Sequence, residues 1–162
     1  MSKNYNLATC NLGVAMKEKI VCFAGHRHDF RNIGIETKLE ETIRSLIEKG
    51  YTVFYDGGKG AFDSISAHIV IKLKEKYPHI KIYRILTYYH HEKEKWELPS
   101  CYDGSLYPDI EHYHPKIKIT KRNEWIVDNS DILVCHITET YKSGAYNTLK
   151  YAQKTNKPII YI

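Results

Sequence analysis

Two hydrophobic rhythms alternate along the chain. Short, nearly continuous apolar runs occupy residues 19–24, 51–55, 80–86, 131–135 and 157–162, as expected of strands buried on both faces. Between them apolar residues recur three and four positions apart, which gathers them on one side of a helix. Leu39, Ile43, Leu46 and Ile47 do so within 36–49, and Gly50 supplies the stop. Phe62, Ile65, Ile69 and Leu73 mark a helix from about 61 to 77 that Pro78 ends. Trp125 and Ile126 within 116–129, and Leu149 and Ala152 within 145–154, mark two more. Residues 1–18 show no period and read as a flexible N-terminal arm ahead of a single domain over 19–162. Residues 87–115 form a long connection rich in Tyr, His and acid. A connection of that length is either functional or carries small elements of its own.

Strands that alternate with helices predict an α/β fold: a Rossmann-like, mostly parallel sheet of five strands or slightly more, with helices on both faces. In such sheets a ligand binds outside the carboxyl ends of the strands, at the point where the strand order reverses. The residues just after each strand therefore carry the functional question.

Composition narrows the class without naming a ligand. With 162 residues the chain has room for one compact core, and it has no apolar stretch of the roughly 20 residues that span a membrane. No signal-type apolar segment opens it, so a cytoplasmic location and no membrane partner are expected. The net charge of +5 comes from 24 Lys and Arg against 19 Asp and Glu, dispersed along the chain. That balance suits an anionic ligand but lacks the clustered basic face that nucleic acid calls for. Cys10, Cys22, Cys101 and Cys135 are spaced for neither a zinc knuckle nor a redox pair. The 14 tyrosines against 4 phenylalanines point to pocket walls or an interface, where a hydroxyl finds a partner.

Three segments follow strands directly. Gly25-His26-Arg27 follows the first, Gly57-Gly58-Lys59-Gly60 the second, where it opens a helix bearing Asp63, and Ser143-Gly144 with Thr148 follows the fourth. Glycines at a strand-to-helix turn let backbone approach a phosphate, and the helix N-terminus offers amide N–H groups and positive potential. Arg27 and Lys59 add charge-assisted donors. Asp63 is placed either to accept from ribose hydroxyls or to cap its own helix. Arg122 and Asn123 lie on the helix before the fourth strand; if that helix covers the cleft, they reach phosphate and base or ribose. Each segment alone is ordinary turn chemistry, and their joint occurrence at strand ends is what points to nucleotide binding.

Taken together, Cys22-Phe-Ala-Gly-His-Arg27, Gly57-Gly58 with Phe62-Asp63, Arg122-Asn123 with Asp128, Ser130 and Asp131, Gly144 with Thr148, and the closing Ile-Ile-Tyr-Ile strand resemble the SLOG superfamily and, more narrowly, its YpsA-like branch. The resemblance spans about 19–162. It implies a Rossmann-like fold, a nucleotide or nucleotide-derived small-molecule ligand, and a homodimer. Relatives implied by it include LOG-type phosphoribohydrolases and the DNA-processing protein DprA. Three departures matter. LOG-type enzymes carry a glutamate five residues into their Gly-Thr-x-x-Glu run, where Thr148 stands here, and threonine can neither activate water nor stabilise an oxocarbenium-like centre as a carboxylate does. Ala61 stands where the YpsA-like pattern favours glycine, with Gly60 beside it to make the turn. His68 is one position too far from Asp63 for the DprA-type run.

The expected function is thus binding of a nucleoside monophosphate or an ADP-ribose-like, NAD-derived molecule, in a regulatory or sensing role. A nucleotide N-glycosidase using Asp63 or another acid is the alternative, and DprA-like nucleic-acid binding is a weaker one. No catalytic residue stands out, and no cofactor is expected. The H-x-H pairs His26/His28 and His112/His114 lack the third ligand a zinc site needs, so no metal is expected either. His90 and His91 read as solvated, and Trp96 as packing beneath the connection.

Overall fold

The computed structural model describes residues 17–26, 34–89, 97–138 and 143–162. Residues 1–16 of the arm expected over 1–18, Arg27 and His28, His90, His91 and Trp96, and Lys142 lie outside the described residues. The elements are β1 (Lys19–Gly25), α1 (Ile35–Glu48), β2 (Tyr51–Asp56), α2 (Ala61–Leu73), β3 (Lys81–Ile85), β4 (Gly104–Leu106), α3 (Pro115–Asp128), β5 (Ile132–His136), α4 (Gly144–Lys154) and β6 (Ile159–Tyr161). The sheet runs β4-β3-β2-β1-β5-β6, and every described pair is parallel.

Alternate residues of each strand serve opposite faces, which is why the strands are apolar throughout. Val21, Phe23, Phe54, Ile82 and Val134 face α1 and α2 in one core. Cys22, Val53, Tyr55, Leu133 and Cys135 join α3 and α4 in the other through Ile126, Val127, Leu149 and Ala152. Phe23 and Phe54 stack at 6.3 Å between centroids in the first core. Tyr55 stacks on Trp125 at 5.9 Å in the second.

β4 lies inside the connection that reads as irregular. It holds only Gly104, Ser105 and Leu106, too few apolar residues to leave a pattern. Asp103 installs it by tertiary means: its N–H donates to the Ile82 carbonyl at 2.9 Å, and its carboxylate accepts from the Ile82 N–H at 2.8 Å and from Lys74 at 2.7 Å. The second helix also stops at Leu73, four residues short of the span its periodicity predicts. The chain beyond closes in a turn in which the Tyr77 N–H reaches the Leu73 carbonyl at 2.8 Å.

Buried Cys22 and Cys135 are unpaired. Burial pushes their thiols up to about 12 and about 11, which keeps both protonated and unreactive at neutral pH. Among the described residues no helix is long and apolar enough to cross a membrane.

Candidate functional site

The chain travels outward from β1 through β2 and β3 to β4, then returns through α3 to β5 on the other side of β1. Loops leaving β1 and β5 therefore diverge, and a crevice opens above their carboxyl ends. A cleft of about 590 Å³ occupies that position.

Its near wall is built by close approach of backbone. A Cβ on Gly25 would stand 2.3 Å from Cγ of Phe62, so only glycine lets the end of β1 press against the first turn of α2. That contact sets the first turn of α2 against the end of β1. Gly58 takes φ +63, a left-handed conformation that suits glycine. Its N–H donates to Asp56 at 2.7 Å, and the N–H of Lys59 donates to Asp63 at 2.9 Å. Two carboxylates beneath the loop thus fix two of its amides, and the loop faces the cleft with Gly57 and Lys59.

Around the glycine loop the packing is charged and dense. Asp56, only 2% exposed, pairs with Nε of Arg84 at 2.8 Å and accepts from the Tyr102 hydroxyl at 2.5 Å. Arg84 also donates to that hydroxyl at 2.6 Å. Desolvation, then its hydrogen bond to Asp56, push the Tyr102 phenol up to about 12. Arg122 is buried as well: its guanidinium donates to the carbonyls of Gly57 and Ile85 and to Asn123 Oδ1, which ties α3 to the glycine loop and to β3. Asp63 lies among these charges at the cleft wall. Burial, reinforced by the Asp56 charge, raises its carboxyl to about 6 against the pull of Arg122 and Arg84.

The far wall is the start of α4. The Ser143 hydroxyl caps the helix by accepting from the Tyr146 N–H at 3.1 Å. Gly144 and Ala145 then carry the first helical N–H groups, which have no intrahelical partner, and both line the cleft. Thr148 donates to the Gly144 carbonyl at 2.9 Å and accepts from Asn123 at 3.2 Å. His26 accepts from the Thr138 N–H at 3.1 Å through Nε2, which ties the loop after β1 to the loop after β5.

The structure therefore brings Gly25, His26, Gly57, Lys59, Asp63, Arg122, Asn123, Ser143, Gly144 and Thr148 around one cleft. Gly58 and Gly60 shape the loop beside it, with Gly60 at the N-cap of α2. Arg27 lies outside the described residues. Sequence reasoning missed Asp56, Arg84 and Tyr102, because they come together across 46 positions with no spacing rule to link them. No tyrosine lines this cleft among the described residues, so the tyrosine count pointed elsewhere: Tyr88, Tyr89 and Tyr161 are exposed and Tyr55 packs in the core.

The topology and the crevice at the strand-order reversal define a Rossmann-like α/β domain of the doubly wound kind. The chain belongs to the YspA SLOG family, whose model matches residues 22–162. It is 26% identical over 157 residues to the UPF0398 protein BH1768 of Halalkalibacterium halodurans, covering 84% of this chain and 81% of that one. Among solved structures, the DNA processing protein A of Helicobacter pylori, which binds single-stranded DNA, superposes with a TM-score of 0.61 at 18% identity. That match covers 88% of this chain and 64% of the other. The molybdenum cofactor carrier protein of Chlamydomonas reinhardtii gives 0.56 at 14% identity, over 90% of this chain and 76% of the other. Both structural likenesses concern the fold.

Proposed function

We propose that this protein binds a nucleotide or nucleotide-derived small molecule in the cleft, in a regulatory or sensing role. The observation that carries the reading is the meeting of the glycine loop before α2, through Gly57 and Lys59, and the N-terminus of α4, through Gly144 and Ala145, on one hollow at the strand-order reversal. Helix N-termini attract phosphate through their amides and their dipole. The phosphate lies between the start of α2 and Gly144-Ala145, the ribose near Asp63, and Lys59 at the rim supplies countercharge. Arg122 contributes positive potential from beneath while holding Gly57. The setting in the cell is the cytoplasm, and the working form is a homodimer.

Small ligands fit this cleft better than a polyanion. Lys59 and buried Arg122 are its only lysine or arginine lining among the described residues, whereas strand binding uses a basic groove that follows many phosphates. The test is a thermal-shift and calorimetric screen with AMP, ADP-ribose and a single-stranded oligonucleotide. Stabilisation by the first two supports the reading, and stabilisation by the oligonucleotide alone refutes it.

One observation favours a second reading. A carboxyl raised to about 6 is poised to give up a proton near neutral pH, and Asp63 stands in the cleft wall. On that reading the protein is a nucleotide N-glycosidase with Asp63 as general acid. Release of free adenine from AMP at enzymatic rates, abolished in Asp63→Asn, decides for it.

A further inference from the structure

No described residue of the connection between β3 and α3 lines the cleft, yet one of them reaches the support of the loop that does. Residues 97–106 form a strap fastened on both sides of Tyr102. Before it, the Tyr102 N–H closes a turn onto the Pro99 carbonyl at 3.0 Å, and Lys74 donates to the Cys101 carbonyl at 3.5 Å. After it, Asp103 is tied to Ile82 and Lys74, and β4 pairs with β3. A side chain anchored on both flanks presents its tip from a fixed place.

The tip in question is the Tyr102 hydroxyl, which accepts from Nη2 of Arg84 at 2.6 Å and donates to Oδ2 of Asp56 at 2.5 Å. The Arg84 guanidinium lies 4.8 Å from the centre of the same ring. Nε of Arg84 stands 2.8 Å from Oδ2 as well, but without the alignment of a hydrogen bond. Arg84 therefore supplies charge, and among the described residues only the Tyr102 hydroxyl gives Oδ2 a directed hydrogen bond. Direction is what matters here, because the other oxygen of the carboxylate, Oδ1, accepts the Gly58 N–H at 2.7 Å. Turning the carboxylate moves that acceptor away from a loop held at φ +63. Asp56 is almost wholly buried, so water does not replace a lost partner.

We infer that Tyr102 is a positioning residue for the glycine loop: carried on the strap, its hydroxyl orients the Asp56 carboxylate and, through it, the Gly57–Lys59 backbone at the cleft. The long connection thereby acts on a site it does not touch. The inference rests on the phosphate-binding reading for the ligand it affects, and on the hydrogen-bonded chain alone for its hold on the loop. Coupling of this kind is reciprocal. A ligand that steadies the loop steadies the strap to the same degree.

Tyr102→Phe in the full chain removes the hydroxyl and keeps the ring. With AMP as the probe, calorimetry is expected to show binding about tenfold weaker, inside the usual range of coupling between sites. In ¹⁵N-labelled protein the Gly58 amide proton, deshielded by the carboxylate, moves upfield while the signal of Phe54 in β2 stays in place. AMP slows hydrogen exchange at the Asp103 amide in the native protein and not in Tyr102→Phe. Asp103→Ala loosens the strap without touching the hydroxyl and is expected to act in the same direction; combined with Tyr102→Phe it adds nothing, since both act through one bond. Ile82→Val trims a fully buried core side chain and is expected to lower Tm while leaving the Gly58 signal and AMP affinity unchanged, which separates positioning from plain loss of stability. A Gly58 signal that stays in place in Tyr102→Phe, or affinity losses that add in the double variant, overturns the inference and leaves the cleft standing. Should Tyr102→Phe not fold, the Gly58 signal of Asp103→Ala decides. If the native protein does not bind AMP, the phosphate reading loses that ligand, and the Gly58 signal still decides whether Tyr102 holds the loop.

Discussion

Gly144→Asp separates ligand binding from folding. Gly144 is the first residue of α4, exposed, with open space around the position of an added Cβ and no left-handed backbone to strain. For the empty protein the change is favourable twice over. A carboxylate in the first turn gains about 0.3–1 kcal/mol from the helix dipole, and replacing glycine gains about 0.4–1 kcal/mol through the unfolded chain. About 1 kcal/mol in total raises Tm by roughly 2–4 °C for a domain of this size. For a bound phosphate the sign reverses. A carboxylate about 4 Å from it costs from about 1 kcal/mol in water to about 4 kcal/mol near a protein surface. Because Gly144 is exposed, about 1–3 kcal/mol is the applicable range, or roughly 5- to 150-fold in Kd. Calorimetric titration with ADP-ribose at low salt, beside a melting curve of the empty variant, reads both signs. An unchanged Kd in a variant that melts no lower removes the α4 N-terminus from the phosphate site, and a lower Tm contradicts the placement of Gly144 in an open first turn.

Two further outcomes follow from buried groups. Because the folded state raises the Asp63 carboxyl from 3.8 to about 6, its contribution to stability is fully present below the lower value and lost as pH rises through the upper one. Asp63→Asn keeps an oxygen for the Lys59 N–H and is therefore expected to gain on the native protein between pH 4 and 7, by at most about 3 kcal/mol. ADP-ribose affinity of the native protein falls over the same range and that of Asp63→Asn stays flat, since the pyrophosphate itself does not titrate there; parallel pH profiles for the two proteins refute the assignment. Gly58→Ala forces φ +63 on alanine and sets a Cβ 2.0 Å from the Arg84 guanidinium, which Asp56 and Tyr102 hold in place. It is expected to lower stability by about 2–4 kcal/mol in urea denaturation; a loss under about 0.5 kcal/mol means that the Arg84 cluster yields freely.

What the sequence determined by itself is the layered architecture and the address of the cleft. Continuous apolar strands admit only a sheet covered on both faces, and helical stripes of the Leu39–Ile47 kind supply the cover. Glycines directly after strands also mark the carboxyl edge, because a strand-to-helix turn is a local event written in adjacent residues. The tertiary structure alone decided the rest. β4 exists because Asp103 completes a ladder with Ile82, a contact between distant residues that Gly104-Ser105-Leu106 does not announce. Asp56 is an ordinary acid at a strand end until Arg84 arrives from β3 and Tyr102 from the segment before β4, and together they make it the keystone of the glycine loop. Asp63 has an ordinary carboxyl until packing removes its water and sets Asp56 beside it. Short-range conformational preference is encoded by neighbours in the chain, whereas desolvation and charge pairing depend on what the fold brings near.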